Sequence, residues 1–525
     1  MPPDGHLYTI LMDALRTLIE QYWPYIVFAI SVIGGTVAAV HAAMTKHDVR
    51  AAIGWVGISI FSPLFGALFY LIAGINRVRS TRKGLMREEV MLQHAYVQQV
   101  PVDELVARCG PQFASLRTLG NRVSRFNIAG GNAVRPLDGG SETYRAMLEA
   151  IRRSTHSIAL QTYIFDNDSV GREIADALIE ARERGVQVRV LIDAVGVRYS
   201  MPTIVTRLNR GKVPTALFNP NPLFFWRMPY ANLRCHRKVL VIDGQVGFTG
   251  GMNIRRAFVD QGDGIAPAQD THFYVAGPVV HQLLSVFAHD WDLTTGESLK
   301  GAQWFKSPQA EIQQNQLNQP NLDRQEPSAN ETLAQEPTLQ PAGDVPMRCI
   351  PAGPDRYIGS THKMLLGALA VAQRRVRIQS PYFLPDVTLI GALATAARRG
   401  VVVDIVIPGT NNLKLVDYAM TAQLDQVIRT GCRVWRATGP FDHSKIMVVD
   451  DAWSYIGSSN LDPRSLRLNF ELDSEIYDTE VAQWLGARVD RLMLSGNQVT
   501  LGTLYKLAFF KRLRNKLIWL ASPYL

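Results

Sequence analysis

"CHRKVLVID" (235–243) sets a histidine and a lysine two residues apart at the head of an aliphatic run, and "DHSKIMVVD" (442–450) does the same again. In a strand, residues i and i+2 point to one face. His236 therefore projects with Lys238, and His443 with Lys445, while the aliphatic residues that follow anchor each strand. The agreement extends further. His236, Lys238, Asp243, Gly250 and Asn253 recur at one constant offset as His443, Lys445, Asp450, Gly457 and Asn460.

The flanks repeat as well. "SIALQTYIF" (157–165), "VGREIADALIEARERG" (170–185) and "VQVRVLID" (186–193) read as strand, helix and strand. The second half answers with "RVRIQSPYF" (375–383), "LIGALATAARRG" (389–400) and "VVVDIVIPG" (401–409). An internal duplication follows, and the expected class is α/β, with two lobes (131–304 and 346–498) related by a pseudo-twofold axis.

If the lobes pack about that axis, both His–Lys pairs converge on one cleft, joined by the carboxamides of Asn253 and Asn460. Two imidazoles, two ammonium groups and two amides form a cage for a tetrahedral anion. One imidazole could attack phosphorus to give a phospho-histidine, while the other protonates the leaving alkoxide and then deprotonates the incoming alcohol or water. Lysine and asparagine would stabilise charge on the equatorial oxygens. No metal or other cofactor is called for.

A nucleophilic imidazole needs its other nitrogen held, usually by a carboxylate. Glu471, in "RLNFELDSEIYD", and Asp270, in "QDTHFYV", are the candidates, each able to orient a histidine across the interface. Asp243 and Asp450 belong to the repeated motif and so to the candidate catalytic set. Their place at the far end of the strands reads as that of structural charge partners rather than proton carriers.

The 525 residues carry 55 Lys and Arg against 46 Asp and Glu, a net charge of +9. This suits an anionic partner such as phospholipid headgroups or nucleic acid. The four scattered cysteines (Cys109, Cys235, Cys349, Cys432) have neither zinc-site nor disulfide-framework spacing.

Within residues 1–80, Trp23–Met44 and Ala51–Ile75 lack Asp, Glu, Lys and Arg. Each is long enough for a membrane of ~30 Å, which takes ~20 helical residues, so a hairpin of two spanning helices (about 23–44 and 51–75) is expected. Pro63 and Gly66 in the second are tolerable there and able to kink it. The basic run "NRVRSTRK" (76–83) puts the N-terminus and everything after residue 76 on the cytoplasmic side. Residues 81–130 read as a connector with one helical stretch (86–100). The Gln-, Pro- and Asn-rich residues 305–345 read as a disordered linker or long loop. The tail, 499–525, alternates basic and apolar residues at helical spacing. It fits an interfacial helix on an anionic bilayer, and equally a helix docked on the protein.

"NLRCHRKVLVIDGQVGFTGGMNI" (232–254), "QDTHFYVAGP" (269–278), "HSKIMVVDDAWSYIGSSNLDPRSLRLNFE" (443–471) and the closing "SPYL" resemble the bacterial cardiolipin synthases of the phospholipase D superfamily. The resemblance covers nearly the whole chain. It implies an enzyme of the inner membrane that moves a phosphatidyl group between two phosphatidylglycerol molecules, giving cardiolipin and glycerol. It implies His236 and His443 as nucleophile and acid, with His236 preferred as nucleophile. Lys238, Lys445, Asn253 and Asn460 take phosphate-binding positions, and Ser458 matches the serine of G-S-x-N.

Departures from the pattern are Cys235 before the first histidine, Gly251 where the second copy has Ser458, Asn412 where the family often has Asp, and the long insert between lobes. Rival readings are a synthase using phosphatidylethanolamine as donor, a hydrolytic phospholipase D and a non-catalytic binder of anionic lipid. A nuclease is disfavoured by the membrane hairpin. The oligomeric state is left open.

Overall fold

The computed structural model describes residues 5–46, 48–74, 100–219, 233–301, 303–305, 342–354 and 357–522. The chain divides into two units, Met1–Thr81 and Arg82–Leu525. The basic run 76–83, residues 86–99 of the helical stretch expected over 86–100, most of the 305–345 linker and the last three residues lie outside the described residues.

In the first unit the helix Gly5–Thr45 includes Glu20–Thr45, which is long and apolar enough to cross a membrane. Asp48 starts the return arm by accepting hydrogen bonds from the Arg50 and Ala51 amides (2.8 and 3.3 Å), which satisfies two of the four free N–H groups of a helix start. The second expected span, 51–75, is not one helix. It breaks at Ser62, because Pro63 cannot continue the helical hydrogen bonding, into Val49–Phe61 and Pro63–Phe69 with a π turn, Tyr70–Gly74. The two arms pack through Ala38, Ala42 and Tyr70, and Tyr70 Oη lies 2.7 Å from His41 Nδ1.

The second unit is built on one mixed sheet. Its first half holds β1 (Ala129–Asp138), β2 (Ser157–Thr162), β3 (Gln187–Asp193), β4 (Thr215–Phe218), β5 (Arg234–Cys235), β6 (Val239–Ile242), β7 (Val246–Gly250) and β8 (Thr271–Ala276). Its second half holds β9 (Val345–Ala352), β10 (Arg375–Gln379), β11 (Val402–Pro408), β12 (Arg433–Ala437), β13 (Ile446–Val449), β14 (Trp453–Gly457), β15 (Asn469–Tyr477) and β16 (Asn497–Val499). The orders β4-β3-β2-β6-β7-β8-β1 and β12-β11-β10-β13-β14-β15-β9 are the same, and β1 pairs antiparallel with β9 to join the halves. The fold is α/β and duplicated.

In each half a helix, Ser169–Glu183 or Val387–Arg398, links two parallel strands of the βαβ unit. Its apolar stripe packs on the sheet. One core gathers Ile158, Leu160, Ile174, Leu178, Val190 and Phe248; the other gathers Ile378, Leu389, Leu393, Ile405, Met447 and Trp453.

Helices Val102–Cys109 and Phe113–Val123, inside the expected connector, put Leu105, Cys109, Phe113 and Leu116 into the second core. Burying such side chains contributes about 1.5–3 kcal/mol each. This stretch is thus part of the second half.

Candidate active site

Short apolar strands place the two motifs. β6 and β13 are wholly buried, and the residues just before them remain extended and cross into the other half. β5 pairs in parallel with β15, and the His236 amide donates to Phe470 O (2.8 Å). Reciprocally, Asp442 bridges Gln269, and the His443 amide donates to Gln269 O (2.7 Å). Each histidine is thereby delivered beside the carboxylate of the opposite half.

His236 Nδ1 lies 2.9 Å from Glu471 Oε2 and 3.1 Å from Ser458 O. His443 Nδ1 lies 2.9 Å from Asp270 Oδ2 and 2.9 Å from Lys445 Nζ. The lysines fold back on their own motif: Lys238 Nζ donates to His236 O (2.6 Å), and Lys445 Nζ donates to His443 O. Arg237, between His236 and Lys238, points the other way into a buried ion pair in which its Nη1 donates to both oxygens of Asp290 (2.6 Å each). Alternation along an extended chain requires that arrangement.

Both imidazoles are held below their ordinary pKa, His236 by burial against the pull of Glu471, and His443 further by burial and Lys445. Burial pushes Lys238 down to about 7 and Lys445 to about 8. The carboxylates differ. Burial works to raise both, and it raises Asp270 to about 6; at Glu471, His236 and Lys238 outweigh it and keep the group below its usual range. Glu471 also accepts from Ser458 Oγ (2.6 Å) and Asn469 Nδ2 (3.0 Å), whereas Asp270 Oδ1 is buried with no partner among the described residues.

His236 and His443 line an open cleft of about 1760 Å³ together with Asn253 and Asn460. Asn253 Oδ1 accepts from the Ile164 amide (3.1 Å), which leaves the Asn253 amino group as the donor. Asn460 Nδ2 is 3.4 Å from Ser465 Oγ. Sequence reasoning missed the aromatic wall: Tyr163 lies 5.1 Å from His236 between ring centres, and Tyr382 and Phe441 lie 6.2 and 5.9 Å from His443. It also missed Arg255 and Arg464. Proximity to the second motif was the only signal for Arg464. Asn412 lines the cleft and accepts from Tyr382 Oη (2.8 Å).

Asp243 and Asp450 sit just past the far ends of β6 and β13 and are not among the residues that line the cleft. Asp243 accepts from the amides of Thr155, His156 and Ser157 (2.7–2.9 Å), and Asp450 from those of Gln373, Arg374 and Arg375 (2.8–2.9 Å). Each fastens the turn that opens the neighbouring strand, and the partners are backbone amides, with the Thr155 hydroxyl at Asp243 (2.9 Å), rather than the charges expected. Among the described residues no group of His, Cys, Asp and Glu could hold a metal ion.

A family model described as "Cardiolipin synthase, PLD-like domain" matches residues 147–291 and 365–493, one stretch in each half. A cardiolipin synthase of Alkalihalophilus pseudofirmus is 30% identical over 95% of this chain and 93% of its own length. Cardiolipin synthase A of Pseudomonas entomophila is 31% identical over 83% of this chain and 85% of its own. The phosphatidylserine synthase of Haemophilus influenzae shares the fold, with a TM-score of 0.54 and 15% identity, over 78% of this chain and all of that one. The chain belongs to the cardiolipin synthase family of the phospholipase D superfamily. It is an enzyme of the phosphatidyltransferase class.

Proposed function

We propose that the chain transfers a phosphatidyl group from one phosphatidylglycerol to another, through a phospho-histidine on His236. The observation that carries the assignment is the difference between the two imidazoles. His236 Nδ1 faces two acceptors, Glu471 Oε2 and Ser458 O, so the ring proton belongs on Nδ1 and Nε2 keeps its lone pair. His443 Nδ1 lies at 2.9 Å from both Asp270 Oδ2 and the Lys445 ammonium, and the ammonium can only donate, so this ring is held by one acceptor where His236 has two. As an imidazolium with Asp270 on Nδ1, His443 offers its Nε2 proton to the leaving oxygen and becomes the neutral ring that takes a proton back in the second step.

In the first step His236 Nε2 bonds to phosphorus as the bond to the glycerol headgroup oxygen breaks. His443 gives its proton to that oxygen, and glycerol leaves. In the second, His443 takes a proton from a headgroup hydroxyl of the second phosphatidylglycerol, whose oxygen displaces His236 to give cardiolipin. Lys238, Lys445, Asn253 and Asn460 hold the non-bridging oxygens throughout.

A bacterial inner-membrane location with the catalytic unit on the cytoplasmic side is part of the same reading. It is supported by the apolar helix Glu20–Thr45 and the basic run after residue 75.

The test is purified protein in micelles with phosphatidylglycerol as sole lipid. Cardiolipin and glycerol should appear in equal amounts, and both should vanish in His236→Ala and His443→Ala. Phosphatidic acid with glycerol would mean hydrolysis. Turnover only after phosphatidylethanolamine is added would mean a mixed-donor synthase.

A further inference from the structure

The final helix, Phe509–Leu520, is docked on one side only. Its inner side packs on Lys414–Ile428. Asn515 is buried, Ile518 and Trp519 lean on the second core, Lys516 Nζ donates to Ala422 O (2.6 Å), and the Arg514 guanidinium sits 3.6 Å from the centre of the Tyr418 ring. On the other side Phe509, Phe510, Leu513, Leu517 and Leu520 are 43–79% exposed. At 3.6 residues per turn these five fall in one arc of about 100°. Arg512 runs along one edge of the arc, beside the half-exposed Lys516 that also pairs with Asp425 (3.6 Å), and the exposed Arg514, stacked on Tyr418, runs along the other. From Arg491 to Leu525 there is no acidic residue.

The C-terminal end of this helix borders the active-site cleft. Ser522, just past the helix, lines the cleft together with Leu413 and Val416 at the head of the helix it packs on. Leu413 and Leu415 are themselves 47% and 55% exposed, with the exposed Lys414 between them.

We propose that this face seats the catalytic unit on an anionic bilayer, with the apolar arc among the acyl chains, the basic edges on lipid phosphates, and the cleft mouth at the interface. The proposal rests on the phosphatidyl-transfer reading and adds the route by which lipid enters. A substrate rising from the bilayer at Leu413 and Leu415 brings its headgroup to the histidines without taking its chains through water. An apolar arc with cations on both edges is the pattern of a helix lying in the membrane interface. A second copy of the chain would bring the same cations against these and be repelled.

Single cysteines replacing Leu513 or Leu517, labelled with an environment-sensitive fluorophore in the full chain, report the face directly, the four native cysteines being buried. In vesicles containing phosphatidylglycerol both labels should shift to the blue and be quenched by spin-labelled lipid, and less so in phosphatidylcholine alone. Water-like emission in both vesicles, or a shift that follows protein density rather than lipid, the mark of self-association, would overturn the proposal. This measurement needs no turnover, so it stands apart from the assigned reaction.

With turnover, Leu513→Asp combined with Leu517→Asp should cut activity on vesicle phosphatidylglycerol by about tenfold or more. Activity on dispersed short-chain phosphatidylglycerol should be unchanged, which also shows that the variant folds. Undiminished activity on vesicles would count against docking.

Discussion

His236 Nδ1 and Glu471 Oε2 meet at 2.9 Å across the two halves of the sheet, and the carboxylate is held from behind by Ser458 and Asn469. Asp270 meets His443 at the same distance but has one oxygen unpartnered among the described residues. A fully hydrogen-bonded carboxylate stabilises the positive ring of a histidine that has attacked phosphorus; one whose charge is disfavoured by burial and whose second oxygen is unpartnered among the described residues does so less. Glu471→Gln should therefore lower kcat by about 10²-fold or more, by analogy with the aspartate of a serine-protease triad. Asp270→Asn should cost about tenfold. Equal losses would remove the asymmetry from the mechanism.

The division of labour between the histidines can be read with a phosphodiester whose leaving group, such as nitrophenolate, needs no proton. His443→Ala should still release a burst of nitrophenolate and carry phosphorus on the protein, whereas His236→Ala should do neither. Labelling of the His236→Ala protein would exchange the two roles.

The lysines make the site sensitive to base. Burial lowers Lys238 to about 7 and Lys445 to about 8, and only the protonated forms attract phosphate. The parameter kcat/KM, which reports groups of the free enzyme, should fall as pH rises through 7–8. A profile flat to about pH 9 would show that the phosphate does not depend on these cations.

Asp270 couples the site to stability. Its folded pKa is raised by burial to about 6 from 3.8, so its contribution to stability is complete below the lower value and is lost as pH rises through the higher one. Asp270→Asn escapes that loss. Relative to the native chain it should gain on the order of 2–3 kcal/mol between pH 4 and pH 7, visible as a higher midpoint of thermal unfolding in detergent. No pH dependence in the difference would contradict the raised pKa.

The glycine at the first G-x-x-N is not an unfilled serine. A Cβ on Gly251 would stand 2.8 Å from both oxygens of Asp270, so Gly251→Ser should push that carboxylate away from His443 and lower kcat by about tenfold or more. Ser458→Ala acts by loss instead. It strips a donor from Glu471 and the acceptor of the Leu472 amide, at a cost of about 1–3 kcal/mol in stability.

Much of this was legible in the residues. His236, Lys238, His443 and Lys445 stood out because a short-period motif occurred twice in matching surroundings, and the βαβ units because helical and strand periodicity alternate cleanly. Glu471 and Asp270 could be named but not paired, since which acid meets which histidine depends on β5 and Asp442 crossing into the opposite half, and pattern along the chain carries no such information. The aromatic wall was invisible for the same reason: Tyr163, Tyr382 and Phe441 come from three separate loops. Pro63 announced the break in the return arm. The helices Val102–Cys109 and Phe113–Val123 looked like a connector because their amphipathic faces named no partner.

The crossing of β5 onto β15, answered by Asp442 against Gln269, bears on ancestry. A protein made of one half alone would own a histidine and a carboxylate that cannot reach each other, and could work only by associating with its twin. Gene fusion would then have relieved the descendant of strict symmetry. Glu471 and Asp270, or Ser458 and Gly251, could drift apart chemically while still sharing one phosphate, and a site that began with two interchangeable histidines could give each a separate trade.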